Sequence, residues 1–386
     1  MEITALLWIV CVGASLPVLV LAVECLVGSL GRLSKPAADS APPLSVLMPA
    51  HNEAGGIERA VAEVLAQLRL GDELIVIADN CSDDTGALAA RLGARVVVRN
   101  EPDKRGKGYA LEFGSRHVAS DPNRVILVID ADCSPAPDAI HQIARTAAKL
   151  GAVVQGTYLL TPGADAGAMV RLSCFAFLLK NLVRQLALRR LAGAALLQGS
   201  GMAFPYPIFK RIDWRADSLV EDLELGLELV LSGDRVTFDD AALFTSQASS
   251  DKATVGQRRR WEHGALLSMG QFVPRLIYAG LAGRPRILML ALDQLVPPTA
   301  LLVAVAGSVA LLSLLIGGLS VPLALLLSAL LLLGAGIFVA WVRYGRTFVP
   351  FAMLPEAVRY ILWKVPIALQ FVTRRERNWI RTGRDL

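Results

Sequence analysis

One run of residues constrains the fold of this chain more than any other: Val125 to Asp132, with the sequence VILVIDAD. Its first five residues are apolar and four of them are β-branched, which is typical of a strand buried on both faces of a sheet. Asp130 and Asp132 follow at the end of this strand, where open α/β sheets bind their ligands. Paired carboxylates there suit a hard divalent cation and a phosphate-bearing substrate. An acidic turn without a ligand is the alternative that an isolated Asp-x-Asp leaves open.

The segment around this strand alternates strands with helices. Strands are predicted at Ser45–Ala50, Glu73–Asp79, Arg95–Arg99 and Val125–Asp130. Helices are predicted at Glu53–Leu68, Asp84–Leu92, Gly108–Val118 and Pro137–Leu150. This alternation predicts an α/β domain with a mostly parallel sheet and helices on both faces.

Three of the predicted strands end in residues that can bind a ligand. His51 and Glu53 follow the first, Asp79 ends the second, and Asp130 ends the fourth. The carboxyl ends of parallel strands share one edge, so we expect these side chains near one another. No glycine-rich phosphate loop follows the first strand. A bound nucleotide is therefore expected to be held by carboxylates and a metal.

The N-terminal segment is long and apolar enough to span a bilayer. Ala5–Leu30 is apolar except for Glu24. Arg32 and Lys35 follow it, which places the next domain in the cytoplasm by the positive-inside rule. A cleaved signal peptide is the alternative, but the run is too long for one and the acidic Glu2 precedes it.

Two more apolar segments lie near the C-terminus. Pro298–Gly317 and Val321–Val342 are predicted to span the membrane, and Arg343 returns the chain to the cytoplasm. Met353–Val372 contains charged residues and is predicted to lie at the interface. A span there would put the basic tail from Arg374 onward outside, against the charge rule.

Composition agrees with a multi-pass protein of the inner (cytoplasmic) membrane. The apolar excess, 54% of all residues, is concentrated at the two ends of the chain. Five scattered cysteines form neither a metal-ligand pattern nor a disulfide framework, which fits a reducing compartment. The net charge of +5 arises near the apolar segments, so membrane lipids rather than nucleic acid are the expected partner.

Past Gly151 three segments carry polar groups with two interpretations each. Met169–Leu191 is amphipathic and lies either on a membrane surface or in a core. Gly199 and Ser200 belong to a small-residue loop that admits a ligand to the backbone, or to an ordinary turn. An acidic pair opens the predicted helix Leu219–Val230 and either binds substrate or complements the helix dipole.

The run Gln257–Trp261 places three arginines beside a tryptophan. Arginine donates two hydrogen bonds to a phosphate, and the indole ring offers a flat surface to a sugar. A membrane-interface anchor is the alternative for such a run.

Together these motifs resemble the membrane-anchored family 2 glycosyltransferases, which are related to the cellulose, chitin and hyaluronan synthases. The resemblance covers about Ser45 to Trp261. It implies a Rossmann-like GT-A fold and an inverting, metal-dependent transfer of a sugar from a nucleotide diphosphate, with a UDP-sugar expected. The acceptor would be a glycan or a membrane lipid at the cytoplasmic face, as in polysaccharide or exopolysaccharide biosynthesis.

The resemblance also implies roles for individual residues. It assigns the nucleotide pocket to His51, Glu53, Asp79 and Lys107, and within this pocket Asp79 would contact the uracil or the ribose of the donor. It assigns the binding of Mg²⁺ or Mn²⁺ to Asp130 and Asp132, the catalytic base to Asp222, and the acceptor end to Gln257, Arg260 and Trp261. Asp130 is counted among the substrate-binding residues as well. Gly199, Ser200 and Glu221 complete that set by their positions in the small-residue loop and beside Asp222.

The expected chemistry divides between the two acidic sites. A divalent cation on Asp130 and Asp132 would stabilise the negative charge of the leaving diphosphate, and the positive charge of Arg260 would add to this stabilisation. Asp222 would deprotonate the acceptor hydroxyl, and the like charge of Glu221 would raise its pKa and make it a better base. One displacement from the opposite face gives inversion.

Two features depart from the family pattern. Val220 stands where the family has threonine before Glu221-Asp222, which leaves the base itself intact. Only three spans are predicted, which leaves open whether the chain forms a polymer channel and whether synthesis is processive.

The predicted divisions are a transmembrane helix (1–31), a GT-A domain (44–262), an interfacial segment (263–297), two transmembrane helices (298–343) and an interfacial, basic tail (344–386). Transfer of one sugar to a lipid and an inactive nucleotide-sugar-binding subunit of a synthase complex remain alternatives. Partner subunits of a polysaccharide export system are a further partner that this function predicts. A transporter would need more intramembrane polar residues than Glu24 and Asp293.

Overall fold

The computed structural model describes residues 2–31, 33–34, 40–214, 220–248 and 251–373, without the side chains of residues 2, 251–260, 365 and 367–373. Several residues used above lie outside this description: Arg32, Lys35, Leu219, the basic tail from residue 374, and the side chains of Gln257–Arg260. The described chain forms two compact units. The sheet unit comprises the described residues between 33 and 161 and between 194 and 247. The helical unit comprises those between 2 and 31, between 162 and 193, and between 248 and 373.

The sheet unit is built on eight strands in the order β3-β2-β1-β4-β7-β6-β8-β5. Numbered along the chain, they are β1 (Leu44–Ala50), β2 (Glu73–Asp79), β3 (Arg95–Arg99), β4 (Val125–Val128), β5 (Cys133–Pro135), β6 (Val153–Thr161), β7 (Met202–Pro205) and β8 (Val236–Gln247). The pairs β2–β3, β1–β2, β1–β4 and β6–β8 are parallel, while β7 runs antiparallel to β4 and β6, and β5 antiparallel to β8. The sheet is therefore mostly parallel and mixed, as predicted.

The central strands are buried on both faces, which explains their continuous apolar sequences. Val46 to Met48 in β1, Ile75 to Ile77 in β2 and Ile126 to Val128 in β4 are fully buried. The described residues of this unit form six helices: α2 (Ile57–Leu65), α3 (Thr85–Arg91), α4 (Lys107–Ser115), α5 (Ala139–Leu150), α8 (Tyr206–Phe209) and α9 (Glu221–Leu231). The short helices and loops after β1, β2 and β4 bring the polar strand ends to one edge.

The helical unit contains α1 (Glu2–Leu30), α6 (Ala168–Leu178), α7 (Gln185–Leu191), α10 (Asp251–Leu281), α11 (Ile287–Gln294), α12 (Thr299–Gly317), α13 (Val321–Ala340) and α14 (Glu356–Thr373). Within the described residues, three helices are long and apolar enough to cross a membrane: Ile3–Leu30, Thr299–Gly317 and Val321–Gly345. They coincide with the three predicted spans. A π-helical turn, Leu179–Arg184, joins α6 to α7, so that Met169–Leu191 forms one helix packed against α1.

Arginines bind the end of α1. The last carbonyls of a helix have no partner inside it. Arg190 donates hydrogen bonds to the carbonyls of Val27 and Gly28, and Arg343 donates to that of Ser29 at 2.5 Å. Positive charge at this end also complements the helix dipole. These bonds fix the apolar helix to two later segments of the helical unit.

Candidate active site

The centre of the candidate site is Lys107, the first residue of α4. Its ammonium group forms an ion pair with Asp130 Oδ1 and donates a 2.6 Å hydrogen bond to the carbonyl oxygen of Gly199. Burial alone would lower the pKa of Lys107, but the carboxylates of Asp130, Asp222 and Glu221 raise it above its ordinary value. Lys107 therefore stays positively charged at neutral pH, beside three acidic groups.

Asp222 lies in the first turn of α9 and reaches the same point. A β-carbon built on Gly199 would lie 3.2 Å from Asp222 Oδ2 and 3.8 Å from Lys107 Nζ. Asp130, Lys107, Gly199 and Asp222 thus form one cluster, although the sequence separates the first from the last by more than ninety positions. The structure brings together Asp130, one of the two predicted metal ligands, and Asp222, the predicted base.

Position 199 requires glycine because of its backbone conformation and because of the space around it. Its φ of +90° lies in the left-handed region, and the 3.2 Å approach to Asp222 leaves little room for a methyl group. We expect Gly199→Ala to lower transfer activity by roughly tenfold or more, because a small displacement of reacting groups costs that much.

Gly71→Ala is the matched control for Gly199→Ala. Gly71 has a similar φ of +93° with nothing within 4 Å, so its substitution carries the strain without the crowding. Equal losses of activity in both variants, measured at equal thermal stability, would mean that the crowding of Asp222 has no effect.

A buried hydrogen-bond network supports the loop that carries Gly199. Gln155, fully buried on β6, donates to the carbonyl of Ser200 at 2.8 Å and accepts from the backbone N–H of Gln198 at 2.8 Å. The Ser200 hydroxyl in turn accepts from the backbone N–H of Asp130 at 3.1 Å. Ser200, which was predicted to bind substrate, is itself fully buried and holds the backbone at Asp130 through this hydrogen bond.

The charge of Asp132 acts on a second buried polar group, the hydroxyl of Tyr158. The Tyr158 hydroxyl donates to Ser246 at 3.1 Å. Burial, and then the negative charge of Asp132, raises the pKa of Tyr158. Sequence reasoning missed Gln155, Tyr158 and Ser246, because β6 and β8 were not recognised as strands.

A second cluster lies at the end of β2. Asp79 Oδ1 accepts a 2.5 Å hydrogen bond from Arg99, and the two residues are register partners in β2 and β3. His51 Nδ1 lies 2.7 Å from the backbone oxygen of Asp79, and the backbone N–H of Glu53 donates to Thr85 at 2.8 Å. Burial raises the pKa of Asp79 even though Arg99 lowers it. Arg99 was missed by the sequence analysis, although it ends a strand at the same edge.

The residues predicted for the acceptor end lie in the helical unit. Gln257 and Arg260 are on α10, but their side chains are outside the described residues. Trp261 is partly buried and its ring centroid lies 5.6 Å from that of Phe177. Their predicted contact with the acceptor stays a prediction.

Asp130 and Asp132 fit a divalent cation. Both side chains are partly exposed at the strand end, and carboxylate oxygens are what Mg²⁺ and Mn²⁺ prefer. Over the described part of the chain, no group of three or more His, Cys, Asp or Glu side chains is arranged to hold a metal ion. Two carboxylates completed by substrate phosphates and water are a usual set for Mg²⁺.

Comparison with known families gives two matches. Residues 45–197 match glycosyl transferase family 2, and residues 125–343 match glycosyl transferase family group 2. The second match covers more than half of the 386 residues.

Similar curated proteins cover parts of the chain. It is 28% identical over 234 residues to the probable glycosyltransferase YdaM of Bacillus subtilis (58% of this chain, 55% of that protein). It is 25% identical over 236 residues to a poly-β-1,6-N-acetyl-D-glucosamine synthase of Staphylococcus aureus (57% and 54%). It is 41% identical over 100 residues to the low-salt glycan biosynthesis hexosyltransferase Agl6 of Haloferax volcanii (25% and 22%). The chain thus spans 22% to 55% of the length of these relatives.

A solved structure extends the similarity over nearly the whole chain. The mannosyltransferase PcManGT of Pyrobaculum calidifontis, solved in complex with GDP-Man and Mn²⁺, matches 97% of this chain and 99% of its own. The TM-score is 0.59 at 18% sequence identity. This likeness confirms the predicted GT-A fold.

Proposed function

Because the chain belongs to glycosyl transferase family group 2, we propose that it transfers a sugar from a nucleotide diphosphate, expected to be a UDP-sugar, to a membrane-associated glycan or lipid. The observation that carries this proposal is the cluster of Asp130, Lys107, Gly199 and Asp222. Activation of the donor requires a metal-binding group, which Asp130 supplies at the strand end. Deprotonation of the acceptor requires a separate carboxylate, which Asp222 supplies, and both carboxylates lie beside the ammonium group of Lys107.

The residues divide the work in two. Asp130 and Asp132 would hold Mg²⁺ or Mn²⁺, which when bound supplies positive charge to the leaving diphosphate. Asp222 removes the proton from the acceptor hydroxyl as the oxygen attacks the anomeric carbon. Lys107 places one positive charge beside Asp130 and Asp222, whose carboxylates raise the pKa of its ammonium group. A single displacement of this kind inverts the configuration at the anomeric carbon.

The three apolar helices support a membrane-bound acceptor. We place the protein in the cytoplasmic membrane with the sheet unit in the cytoplasm, in polysaccharide or exopolysaccharide biosynthesis. The same proposal includes the division of the chain into the segments predicted from the sequence. It also includes partner subunits of a polysaccharide export system. Attachment of one sugar to a lipid is the second candidate, since the described residues contain three candidate spans, fewer than the large synthases use to form a polymer channel.

The test is a screen of UDP- and GDP-sugars for nucleoside diphosphate release by the purified full chain in detergent with membrane lipids. We expect one donor to be consumed, EDTA to reduce release to background, and Mn²⁺ or Mg²⁺ to restore it. Full activity in a metal-free preparation would contradict the role of Asp130 and Asp132. Product length decides between the two acceptors, because extension gives a ladder and lipid glycosylation gives one addition.

A further inference from the structure

The carboxylate of Asp79 is held through one of its two oxygens. Both hydrogen bonds that the described residues make to this carboxylate fall on Oδ1: Arg99 Nη1 donates at 2.5 Å and Asn80 Nδ2 at 3.0 Å. A carboxylate oxygen has two lone-pair sites, so these two donors fill Oδ1. The acceptor capacity that remains for a ligand is therefore on Oδ2.

Arg99 is itself held by several contacts, so breaking its hydrogen bond to Asp79 Oδ1 would cost considerable free energy. Its side chain is 3% exposed. Nη2 donates to the carbonyl of Lys104 at 2.9 Å and lies 3.5 Å from Glu101 Oε2. The guanidinium group also lies over the ring of Tyr109, 5.5 Å from its centroid. The buried pairing of an arginine and a carboxylate orients Asp79 rigidly, because breaking it would leave a buried charge unpaired.

The backbone at this strand end is held as well. His51 Nδ1 lies 2.7 Å from the Asp79 backbone oxygen, and Asn80, at φ +50°, donates its N–H to the carbonyl of Arg99 at 2.7 Å. The Asn80 side-chain oxygen accepts from the N–H of Glu101 at 2.7 Å. The second donor to Oδ1 therefore has a defined position.

We infer that Arg99 determines the base specificity of the nucleotide pocket and makes it select uracil over guanine. The inference rests on the proposed function and on contact of Asp79 with the base, one of the two donor groups that the family resemblance assigns to this aspartate. The pairing edge of uracil presents one N–H between two carbonyl oxygens, which one carboxylate oxygen satisfies. Guanine presents two adjacent N–H donors, which a carboxylate satisfies fully only with both oxygens. With Oδ1 filled by Arg99 and Asn80, guanine would leave one donor without its acceptor beside a carboxylate that is buried.

The first measurement is the affinity of the purified full chain for UDP and for GDP in the presence of Mn²⁺, by calorimetry in detergent. A polar group left unpaired lowers affinity substantially, so we expect UDP to bind at least about tenfold more tightly than GDP. Equal affinity, or tighter binding of GDP, overturns the inference while leaving nucleotide-sugar transfer intact. Binding of neither nucleotide overturns the proposed function as well.

Arg99→Met tests the role of the arginine directly. It frees Oδ1 and removes the orientation of Asp79, so we expect weaker UDP binding and a UDP-to-GDP affinity ratio reduced to less than about a third of the wild-type ratio. The matched control is Arg116→Met, which removes an arginine paired with Glu112 at 2.8 Å on the exposed surface. An unchanged ratio in folded Arg99→Met overturns the inference.

Asp79→Asn gives a second test that keeps Arg99 in place. The donors on Arg99 and Asn80 hold the amide oxygen at the Oδ1 position, so the amide N–H₂ faces the base. In this variant the N3–H of uracil would face the amide N–H₂, so two donors would oppose each other. Cytosine has an acceptor at N3, which can take a hydrogen bond from the amide. We expect UDP affinity to fall at least about tenfold and CDP to bind more tightly than UDP. A retained preference for UDP over CDP contradicts the orientation that Arg99 is inferred to impose.

Discussion

Asp222→Asn is expected to lower sugar transfer by about 10²- to 10⁴-fold, the range that general-base catalysis contributes. The substitution keeps the shape of the side chain and removes its ability to take a proton. Lys107 keeps its ion pair with Asp130 and its hydrogen bond to Gly199, so the rest of the cluster has its partners. We expect nucleotide affinity to stay close to that of the wild type. Turnover of the donor with acceptor present is the measurement.

Glu224→Gln is the matched control for Asp222→Asn. It removes an equal charge from the first turn of the same helix, where Glu221, Asp222 and Glu224 all lie. If the loss arose from the helix dipole, both variants would lose activity to a similar extent. Transfer by Asp222→Asn at a rate near that of the wild type would remove Asp222 from the role of base.

The second large effect is expected in the helical unit, at Arg184. Its guanidinium group donates to Glu24 Oε2 at 3.0 Å and to Asp293 Oδ1 at 2.6 Å. Both carboxylates are buried, with Glu24 on α1 and Asp293 on α11. Arg184→Met leaves two buried carboxylates without a countercharge, which costs about 3–5 kcal/mol when one partner of a buried pair is removed. We expect a large fall in folded yield and in the thermal midpoint in detergent.

The triple variant Arg184→Met, Glu24→Gln, Asp293→Asn tests whether the uncompensated charge is the cause. It removes the two negative charges together with the positive one, and replacing buried ion pairs by neutral groups is often close to neutral. We expect it to recover most of the lost thermal midpoint. A triple variant as unstable as Arg184→Met alone would mean that shape, rather than charge, makes Arg184 necessary.

The first half of the sheet was predictable because its sequence is unambiguous. The runs in β1, β2 and β4 are apolar along their length and buried on both faces, and such strands end in a place that the α/β pattern specifies. The structure confirms the predicted fold, and the polar residues after these strands do lie at one edge. β2 and β3 have the predicted bounds, and the other predicted strands and helices of this half differ by a few residues at their ends.

The second half was not predictable by the same rule. β6 contains Gln155 and Gly156 within its buried run, and β7 has four residues. β8 carries two adjacent aspartates and a shift in its pairing with β6. These strands hold the residues that support the small-residue loop, so their sequences depart from simple apolar alternation. Hydrophobic periodicity therefore does not reveal a strand in which polar side chains form buried hydrogen bonds.

Long-range contacts were also beyond the sequence. The Lys107 bond to Gly199 joins residues 92 positions apart, and the Arg184 bond to Glu24 joins residues 160 apart. Lys107 and Gly199 were both predicted as site residues, but their bond depends on how β7 pairs with β4. Arg99 could have been found, because its pairing with Asp79 follows from the register of two adjacent parallel strands.

The central claim is that one cluster separates donor binding from acceptor activation. The most direct measurement compares Mn²⁺-dependent binding of labelled nucleotide sugar by Asp130→Asn and Asp222→Asn, together with transfer in a single turnover. We expect Asp130→Asn to lose donor binding, and Asp222→Asn to bind the donor and fail to transfer it. The same phenotype in both variants, either as lost binding or as retained transfer, would contradict the division of roles.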